Sequence, residues 1–285
     1  MKEDWKECKL GEVCENIYSG GTPATMIKEY WNGELPWLSS GETGQRYINF
    51  TEKTITKLGV EKSSTRLANK NSTVVASAGQ GYTRGQASYL NIDTYVNQSI
   101  IVLKPNIKFI DAKFLYFNID NRYDELRQLS DGTSTRGSLS GKIMKELTIT
   151  LPPLATQQKI ATILSSLDDK IELNNKINDN LEQQAQAIFK EMFGNKIQLA
   201  FENDCKPLGE IVSVIDNRGK TPALEATKTD FPIIDVGTLN SPGRIINYKD
   251  CTKYVSKTTY ETFFRAGHPQ KNDILLSTVG CNLAL

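Results

Sequence analysis

Ten positions between 160 and 192, eight of them apolar and two asparagine, follow one another in steps that alternate strictly between four and three residues. This heptad spacing predicts one long helix whose apolar seam packs against another helix. Pro152 and Pro153 prevent a helix from running in from upstream, and Gly194 followed by Asn195 is a stop signal. We therefore expect a helix of roughly 38 residues, about 55 Å long. The predicted seam consists of Ile160, Leu164, Leu167, Ile171, Asn174, Asn178, Leu181, Ala185, Ile188 and Met192.

Similar spacing also occurs in helices that are buried on their own domain. A core-facing helix normally widens its apolar stripe to a third position per heptad, whereas this seam keeps the strict alternation throughout. Asn174 and Asn178 lie at its centre, where a buried amide lowers stability but fixes register and oligomeric state. We interpret the segment as a coiled-coil spacer with the two asparagines as register pins. Asp168 and Asp169 are interpreted as part of its solvated face.

The pattern in residues 1–150 is typical of an α+β domain with many loops. The segments LPWLSS, STVVAS and QSIIVLKP predict short strands, and DAKFLYFNIDNRYDELRQL has helical spacing. KELTITLPPL leads as a further strand into the long helix. Polar, glycine-rich loops lie between these elements, at residues 19–25, 39–46, 77–86 and 130–142.

The sequence starts again after the long helix. LGEVCENIYSGGTPAT at 10–25 recurs as LGEIVSVIDNRGKTPAL at 208–224, and LPWLSSGETGQRYIN at 35–49 recurs as FPIIDVGTLNSPGRIIN at 231–247. A repeat this long indicates two copies of one domain.

The second copy is incomplete in this sequence. NSTVVASAG at 71–79 has a counterpart, NDILLSTVG at 272–280, which predicts a strand without its usual neighbours. We therefore predict a first domain at 1–150, a spacer helix at 151–200 and a partial second domain at 201–285.

These residues resemble those of a known family. LPPLATQQKIATILSSLDDKIELNNKINDNLEQQAQAIFKEMF at 151–193 is similar to the conserved central region of the specificity (S) subunits of type I restriction-modification systems. The LGE…SGGTP and LGE…RGKTP starts resemble the openings of that family's two target recognition domains. The family pattern is domain, helix, domain, helix. This chain therefore resembles an S subunit that is truncated within its second target recognition domain.

The resemblance implies a function and a set of partners. Each target recognition domain would read one half of a split sequence in double-stranded DNA, and paired antiparallel helices would hold the two domains apart. Methyltransferase (M) subunits would dock beside them, and the restriction (R) subunit would join for cleavage. The chain would need no cofactor of its own, because S-adenosylmethionine and ATP would be bound by the partner subunits.

Composition and charge narrow this picture. The 285 residues carry a net charge of +1, so DNA binding must rest on local patches rather than on bulk charge. No apolar run approaches the roughly 18 residues of a membrane span, and the first residues are charged, so we expect a cytoplasmic protein without a membrane segment. The five cysteines form no CxxC pair, which favours reduced thiols.

The sequence offers little for catalysis. His268 is the only histidine, with no cysteine or carboxylate at metal-ligand spacing around it, so no metal site is predicted. Neither a GxxxxGK[ST] phosphate loop nor a GxGxxG dinucleotide motif nor an Asn-Pro-Pro-aromatic methyltransferase motif occurs. We therefore predict a protein without catalytic activity of its own.

The candidate DNA contacts lie in the loops that combine glycine, a hydroxyl residue and arginine. Glutamine suits adenine, arginine suits guanine or phosphate, and hydroxyl groups suit phosphate oxygens. The competing interpretation is that these are solvated loops whose glycines serve turn geometry. Ser39, Ser40 and Arg46 stay open between the two interpretations. The predicted contacts are Gln80, Tyr82, Thr83, Arg84, Gln86, Ser134, Thr135, Arg136 and Lys142.

Three functions remain at this point. One is a DNA-recognition subunit in which two chains pair their helices antiparallel, which gives a homodimer and a two-fold symmetric target. Another is a scaffold or decoy that binds methyltransferase subunits without reading DNA. An enzyme is the least supported of the three.

Overall fold

The structure is a computed structural model that divides the chain into two compact units, Met1–Ala185 and Gln186–Leu285. It describes residues 4–79, 81–131, 137–203, 206–217, 221–239, 245–264 and 266–277, with only the backbone described for 195–203.

The first unit contains eleven described strands and six described helices, the last of which extends beyond it. In chain order they are β1 (Lys6–Lys9), α1 (Leu10–Val13), β2 (Cys14–Ser19), β3 (Trp31–Leu38), β4 (Tyr47–Ile48), β5 (Lys53–Ile55), α2 (Lys57–Glu61), β6 (Arg66–Ala68), β7 (Thr73–Ala76), β8 (Ala87–Leu90), β9 (Thr94–Val96), β10 (Ile100–Pro105), α3 (Ala112–Asp120), α4 (Tyr123–Asp131), α5 (Gly141–Glu146), β11 (Thr148–Leu151) and α6 (Leu154–Asn203). Short 3-10 helices add Lys28–Tyr30 and Ser40–Glu42.

Two mixed sheets organise this unit. One has five strands in the order β2-β10-β7-β8-β4, and the other has four in the order β5-β3-β9-β6, while β1 and β11 form a separate antiparallel pair. Most pairings are antiparallel, and β3 with β9 and β4 with β8 are parallel. The predicted α+β class is confirmed, and the four segments expected to be strands in the first domain form β3, β7, β10 and β11.

The five-stranded sheet is buried on both faces. Ile101 and Leu103 of β10 pack in a cluster with residues of α1, α3, α5 and α6. Ile100 and Val102 point the other way, into a second cluster that includes Leu38 of the four-stranded sheet. This alternation follows from the two-residue period of a strand. The unit is therefore layered as helices, sheet and second sheet.

The helical segment after β10 is two helices rather than one. Asp111 caps α3 by accepting hydrogen bonds from the backbone N–H groups of Lys113 (3.0 Å) and Phe114 (2.9 Å). The helix ends at Asp120, with Asn121 as its C-cap, and α4 begins at Tyr123. Spacing alone did not reveal this break, because the apolar period continues across it.

The long helix is confirmed, but it does not stop at Gly194 as predicted. It has 50 residues and continues to Asn203. A single glycine inside a helix costs only about 1 kcal/mol relative to alanine, and the next proline is Pro207. The stop signal was therefore too weak to end the helix.

The second unit repeats part of the first. It contains β12 (Pro232–Ile233), α7 (Val236–Leu239), β13 (Lys253–Tyr254) and α8 (Lys257–Phe263), with 3-10 helices at Leu208–Glu210 and Tyr248–Asp250. β12 and β13 pair antiparallel, as β3 and β5 do.

The register of this pair is the same in both copies. Pro36 lies opposite Thr54 in the first copy, and Pro232 lies opposite Tyr254 in the second. The following helix is capped in the same way in each copy, by Thr56 before α2 and by Ser256 before α8. The internal repeat is therefore present in the backbone structure as well as in the amino-acid sequence.

The prediction of a strand at 272–280 is wrong for the part of this segment that the structure describes. Residues 272–277 form no strand, and Ile274 and Leu276 are exposed. In the first copy the equivalent strand, β7, lies between β10 and β8. The described part of the second unit contains no counterpart of either neighbour, and a strand needs backbone partners to form.

Candidate nucleic-acid interface and helix seam

The loop between β7 and β8 carries most of the predicted DNA contacts, and α4 fixes its backbone. Arg127 donates to the carbonyl of Gly81 (2.9 Å), and the Tyr123 hydroxyl donates to the carbonyl of Tyr82 (2.9 Å). Gly79 and Gly85 adopt φ angles of 139° and 90°, which side-chain-bearing residues rarely do. The loop therefore has a defined shape that holds the Tyr82 side chain outward, 83% exposed.

Arg84 points inward from the same loop. Its side chain is buried, with 7% exposure, and pairs with Asp131 at the end of α4. A Cβ on Gly137 would lie 2.0 Å from Arg84 Nη1, so the close approach of this segment requires a glycine there. This placement does not support the prediction that Arg84 reads guanine or phosphate. Arg84 instead ties the loop at 77–86 to the segments on either side of 132–136.

The other predicted DNA contacts lie in the same two loops as Arg84 and Gly137 or next to them. Thr83 and Gln86 are partly exposed, and Lys142 is exposed on α5. Leu139 N–H donates to the carbonyl of Ser77 (2.9 Å), which brings the two loops together a second time. Gln80, Ser134, Thr135 and Arg136 lie outside the described residues.

Sequence reasoning missed the residues of α4 that hold this loop. Tyr123, Arg127 and Asp131 follow one another in steps of four residues and therefore share one helix face. All three contact the loop at 77–86. The four-residue spacing of polar side chains was a usable signal, but it did not indicate which loop they would meet.

α6 is attached to its domain through a face that is largely polar. Gln157, Ala161, Ser165 and Asp168 are the buried residues of this face, which we call the docking face. Gln157 accepts a hydrogen bond from the backbone N–H of Asp111 (2.9 Å) and donates to the carbonyls of Phe109 (3.1 Å) and Pro152 (2.9 Å). These contacts anchor the first turn of the helix.

Asp168 anchors the helix again, eleven residues later. Its carboxylate accepts from the Tyr47 hydroxyl (2.7 Å) and pairs with Arg46 Nη1 (3.0 Å). Arg46 also pairs with Asp120 (3.1 Å) and donates to the hydroxyl of Tyr116 (3.3 Å). The interpretation of Asp168 as a solvated residue is therefore wrong, because its side chain is only 8% exposed.

Burial governs the protonation of this cluster. It raises the pKa of Tyr116 to about 12 and raises the pKa of Asp120, whose pairing with Arg46 acts in the opposite direction. Burial is also the largest cause of the raised pKa of Tyr47, followed by its hydrogen bond to Asp168. The hydroxyl of Tyr47 therefore remains a donor at neutral pH. Arg46, left open by the sequence, is committed to this cluster.

The predicted seam lies on a different face of α6. At 100° per residue, its axis is roughly 120° around the helix from the docking face. Ile160 and Leu164 at its start are partly buried against the domain. Further along, Leu167, Ile171, Leu181 and Ile188 are 51–57% exposed, and Asn174, Asn178 and Ala185 are exposed as well. The seam is therefore not used by its own domain beyond residue 164.

Two negative observations apply to the described residues. Among them, no group of three His, Cys, Asp or Glu side chains could hold a metal ion. In the same part of the chain, no helix has both the length and the apolar character to cross a membrane.

Comparison with known proteins adds a family match. A family model, described as the type I restriction modification DNA specificity domain, matches residues 2–183. The specificity subunit of the type I restriction enzyme MjaIX from Methanocaldococcus jannaschii is 34% identical over 198 residues, which cover 68% of this chain and 44% of the relative. The HindI specificity subunit from Haemophilus influenzae is 29% identical over 246 residues, 80% of this chain and 51% of the relative.

A solved structure is also similar. The HsdS subunit from Thermoanaerobacter tengcongensis gives a TM-score of 0.47 at 17% identity, covering 61% of this chain and 39% of that one. The chain spans about half the length of the curated relatives it matches.

Proposed function

This chain belongs to the family of type I restriction modification DNA specificity domains, and from that premise we propose that it recognises a DNA sequence and positions methyltransferase and restriction subunits on it. The observation that carries the proposal is the family match over residues 2–183, which covers the complete first domain and most of α6. Catalysis would belong to the partner subunits, which would bind S-adenosylmethionine and ATP.

The loops at 77–86 and 137–142 are the proposed DNA-contacting surface. They are joined to each other and to α4, so their exposed side chains are held in place before DNA arrives. Preorganised contacts lose less conformational entropy on binding than mobile ones. Tyr82 is the proposed stacking or phosphate-bonding residue, and Lys142 adds charge at the adjoining helix.

The proposed partner of the exposed seam is α6 of a second copy, running antiparallel. In one register Asn174 lies opposite Asn178 of the other copy, so each amide has an amide to bond. The remaining layers then pair Ile171 with Leu181, Leu167 with Ala185, Leu164 with Ile188 and Ile160 with Met192. Shifting by one heptad places Asn174 opposite either Ile171 or Ala185. The asparagines therefore favour a single antiparallel register.

The test is selection of DNA from a randomised duplex library by the purified chain, followed by measurement of its mass in solution. We expect enrichment of a two-part, two-fold symmetric sequence and the mass of a dimer. Tyr82→Ala should weaken binding to the enriched sequence by about 1.5–3 kcal/mol in free energy, the range for a hydrogen bond to a charged group such as a phosphate. Phe109→Ala removes an exposed aromatic side chain beside the base of α6 and serves as the matched control.

Other results would contradict specific parts of this proposal. Salt-dependent binding without any enriched sequence would contradict recognition by this chain and favour a scaffold that only carries methyltransferase subunits. Enrichment of a single half-site by a monomer would contradict pairing with a second copy. An equal loss of DNA affinity in Tyr82→Ala and Phe109→Ala would contradict a direct contact between Tyr82 and DNA.

A further inference from the structure

We propose that Arg46, Tyr47 and Asp168 form a latch that sets the direction in which α6 leaves the first domain. If the proposed function holds, the latch also sets which spacing between two half-sites the protein accepts. These are positioning residues, since they would act through the helix rather than on DNA.

The latch joins the helix to two other elements. Asp168 accepts a hydrogen bond from the hydroxyl of Tyr47 on β4. It also forms an ion pair with the guanidinium of Arg46, the residue that precedes β4. Arg46 in turn bonds Tyr116 and Asp120 of α3. The helix is thus held against both a strand of the five-stranded sheet and a helix that packs on that sheet.

The latch is also close to the proposed DNA-contacting loops. Arg46 ends the loop at 39–46, and its carbonyl accepts from Tyr89 N–H (2.9 Å) on β8. The Ser88 hydroxyl on the same strand donates to the carbonyl of Gln45 (2.6 Å). Because β8 begins directly after the loop at 77–86, one short strand connects that loop to the latch.

A small change of direction at the latch has a large effect along the helix. The 17 residues from Asp168 to Ala185 span about 26 Å at 1.5 Å per residue. A swing of about 10° at Asp168 would move Ala185 by roughly 4.5 Å. One base pair of B-DNA occupies about 3.4 Å along the axis. A loose helix would therefore blur the distance between two recognition domains by about one base pair.

The hydrogen bonds of Gln157 alone do not fix the direction of α6. They hold the first turn of α6 to the loop before α3, about 16 Å from Asp168 at the helical rise. Ala161 and Ser165 lie between the two anchors and present short side chains. A rod held firmly at one end only is free to tilt, and the second anchor removes that freedom.

Asp168→Asn is the variant of choice. It removes the charge that pairs with Arg46, while Arg46 keeps Asp120 and the new amide keeps an oxygen for Tyr47. The domain should therefore remain folded. Asp169→Asn makes the same change at an exposed neighbour and is the matched control. Tyr47→Phe removes one hydrogen bond and keeps the ion pair, which gives a second variant if the first unfolds.

The measurement is pulsed electron paramagnetic resonance between spin labels at Lys57 and Gln183, both exposed and both in the first unit. Labelled chains are diluted with unlabelled chain so that distances within one chain are measured. We expect Asp168→Asn to broaden the distance distribution by about 4 Å, as the lever arm predicts, and Asp169→Asn to leave it unchanged. Thermal unfolding of each variant separates a loosened helix from an unfolded domain.

A second readout uses DNA libraries in which the spacer between the half-sites varies. Asp168→Asn should accept spacers one base pair longer and shorter than the unaltered chain does, without a change in the half-sites. An unchanged distance distribution would overturn the latch whatever the DNA result. A broadened distribution with an unchanged spacer preference would overturn its role in spacing. Absence of sequence-selective binding by the unaltered chain would refute the proposed function and leave the resonance result standing.

Discussion

Removing one apolar side chain from the exposed seam should disrupt pairing of α6 with a second copy. Ile171 is 55% exposed in the single chain, and in the proposed register it packs against Leu181 of the other copy. Ile171→Ala removes three side-chain carbons, worth about 2.4 kcal/mol when fully buried. The site occurs twice in a dimer, so association should weaken by up to about 5 kcal/mol, which is roughly 4,000-fold in Kd.

Leu173 provides a matched control on the same helix. It is 57% exposed, nearly the same as Ile171, but it lies about 120° around the helix from the seam axis. Leu173→Ala should change the dimer Kd by less than about 0.5 kcal/mol. Alanine is the best helix former, so neither variant should shorten the helix, which circular dichroism can check.

Sedimentation equilibrium over a wide range of protein concentrations gives the Kd of each variant. Equal weakening by Ile171→Ala and Leu173→Ala would refute the seam as the paired surface, because the two side chains lose the same number of carbons and are similarly exposed but lie on different faces of the helix. A chain that remains monomeric at every concentration would refute pairing between copies altogether.

Three further predictions follow from other sites. Asn174→Leu should raise the thermal midpoint of the dimer but broaden its distribution of oligomeric states, measured by calorimetry and native mass spectrometry; a single unchanged species would contradict the role of the amide in register. Gly137→Ala should lower stability by about 1–3 kcal/mol, because φ is 61° there and the new Cβ would meet the Arg84 guanidinium, whereas Gly209→Ala, with open space around it, should not. Hydrogen bonding to Lys253 and to Thr238 N–H lowers the pKa of Asp235 from 3.8 to about 2, so its contribution to the second unit is complete above about pH 4 and is lost as the pH falls through 2; Asp235→Asn should flatten that part of the acid unfolding curve.

Four of the eleven described strands of the first unit, the helical segment of α3 and α4 and the long helix were readable from the sequence, because they carry apolar side chains at regular intervals. The strand β10 carries an apolar run from Ile100 to Leu103, followed by Lys104 and Pro105, and both of its faces are buried. The long helix shows its heptad seam directly. The repeat was readable from the Leu-Gly-Glu and Thr-Pro segments that the two copies share, and their paired strands keep a proline and a lysine at the same register, Pro36 and Lys53 in the first copy and Pro232 and Lys253 in the second.

The polar contacts could not be read in the same way. Asp168 and Asp169 are adjacent and identical in type, yet one is buried against Arg46 and the other is exposed. Which of them is buried depends on where α6 lies on the domain, and the docking face has no apolar signature. Arg84 is the residue type expected of a DNA contact and lies in a loop of the expected composition. The direction of its side chain, however, is set by the pairing with Asp131, a residue 47 positions away.

The pairing of Arg84 with Asp131 assigns the shape of the loop and its exposed surface to different residues. The shape of the loop is maintained from beneath by the ion pair of Arg84 and by hydrogen bonds to the loop backbone, and the Tyr82 side chain takes part in neither. Substitutions at its outward positions should therefore alter what the loop binds at little expense to folding. A surface built in this way can acquire a new specificity in single steps, with the protein folded at each one.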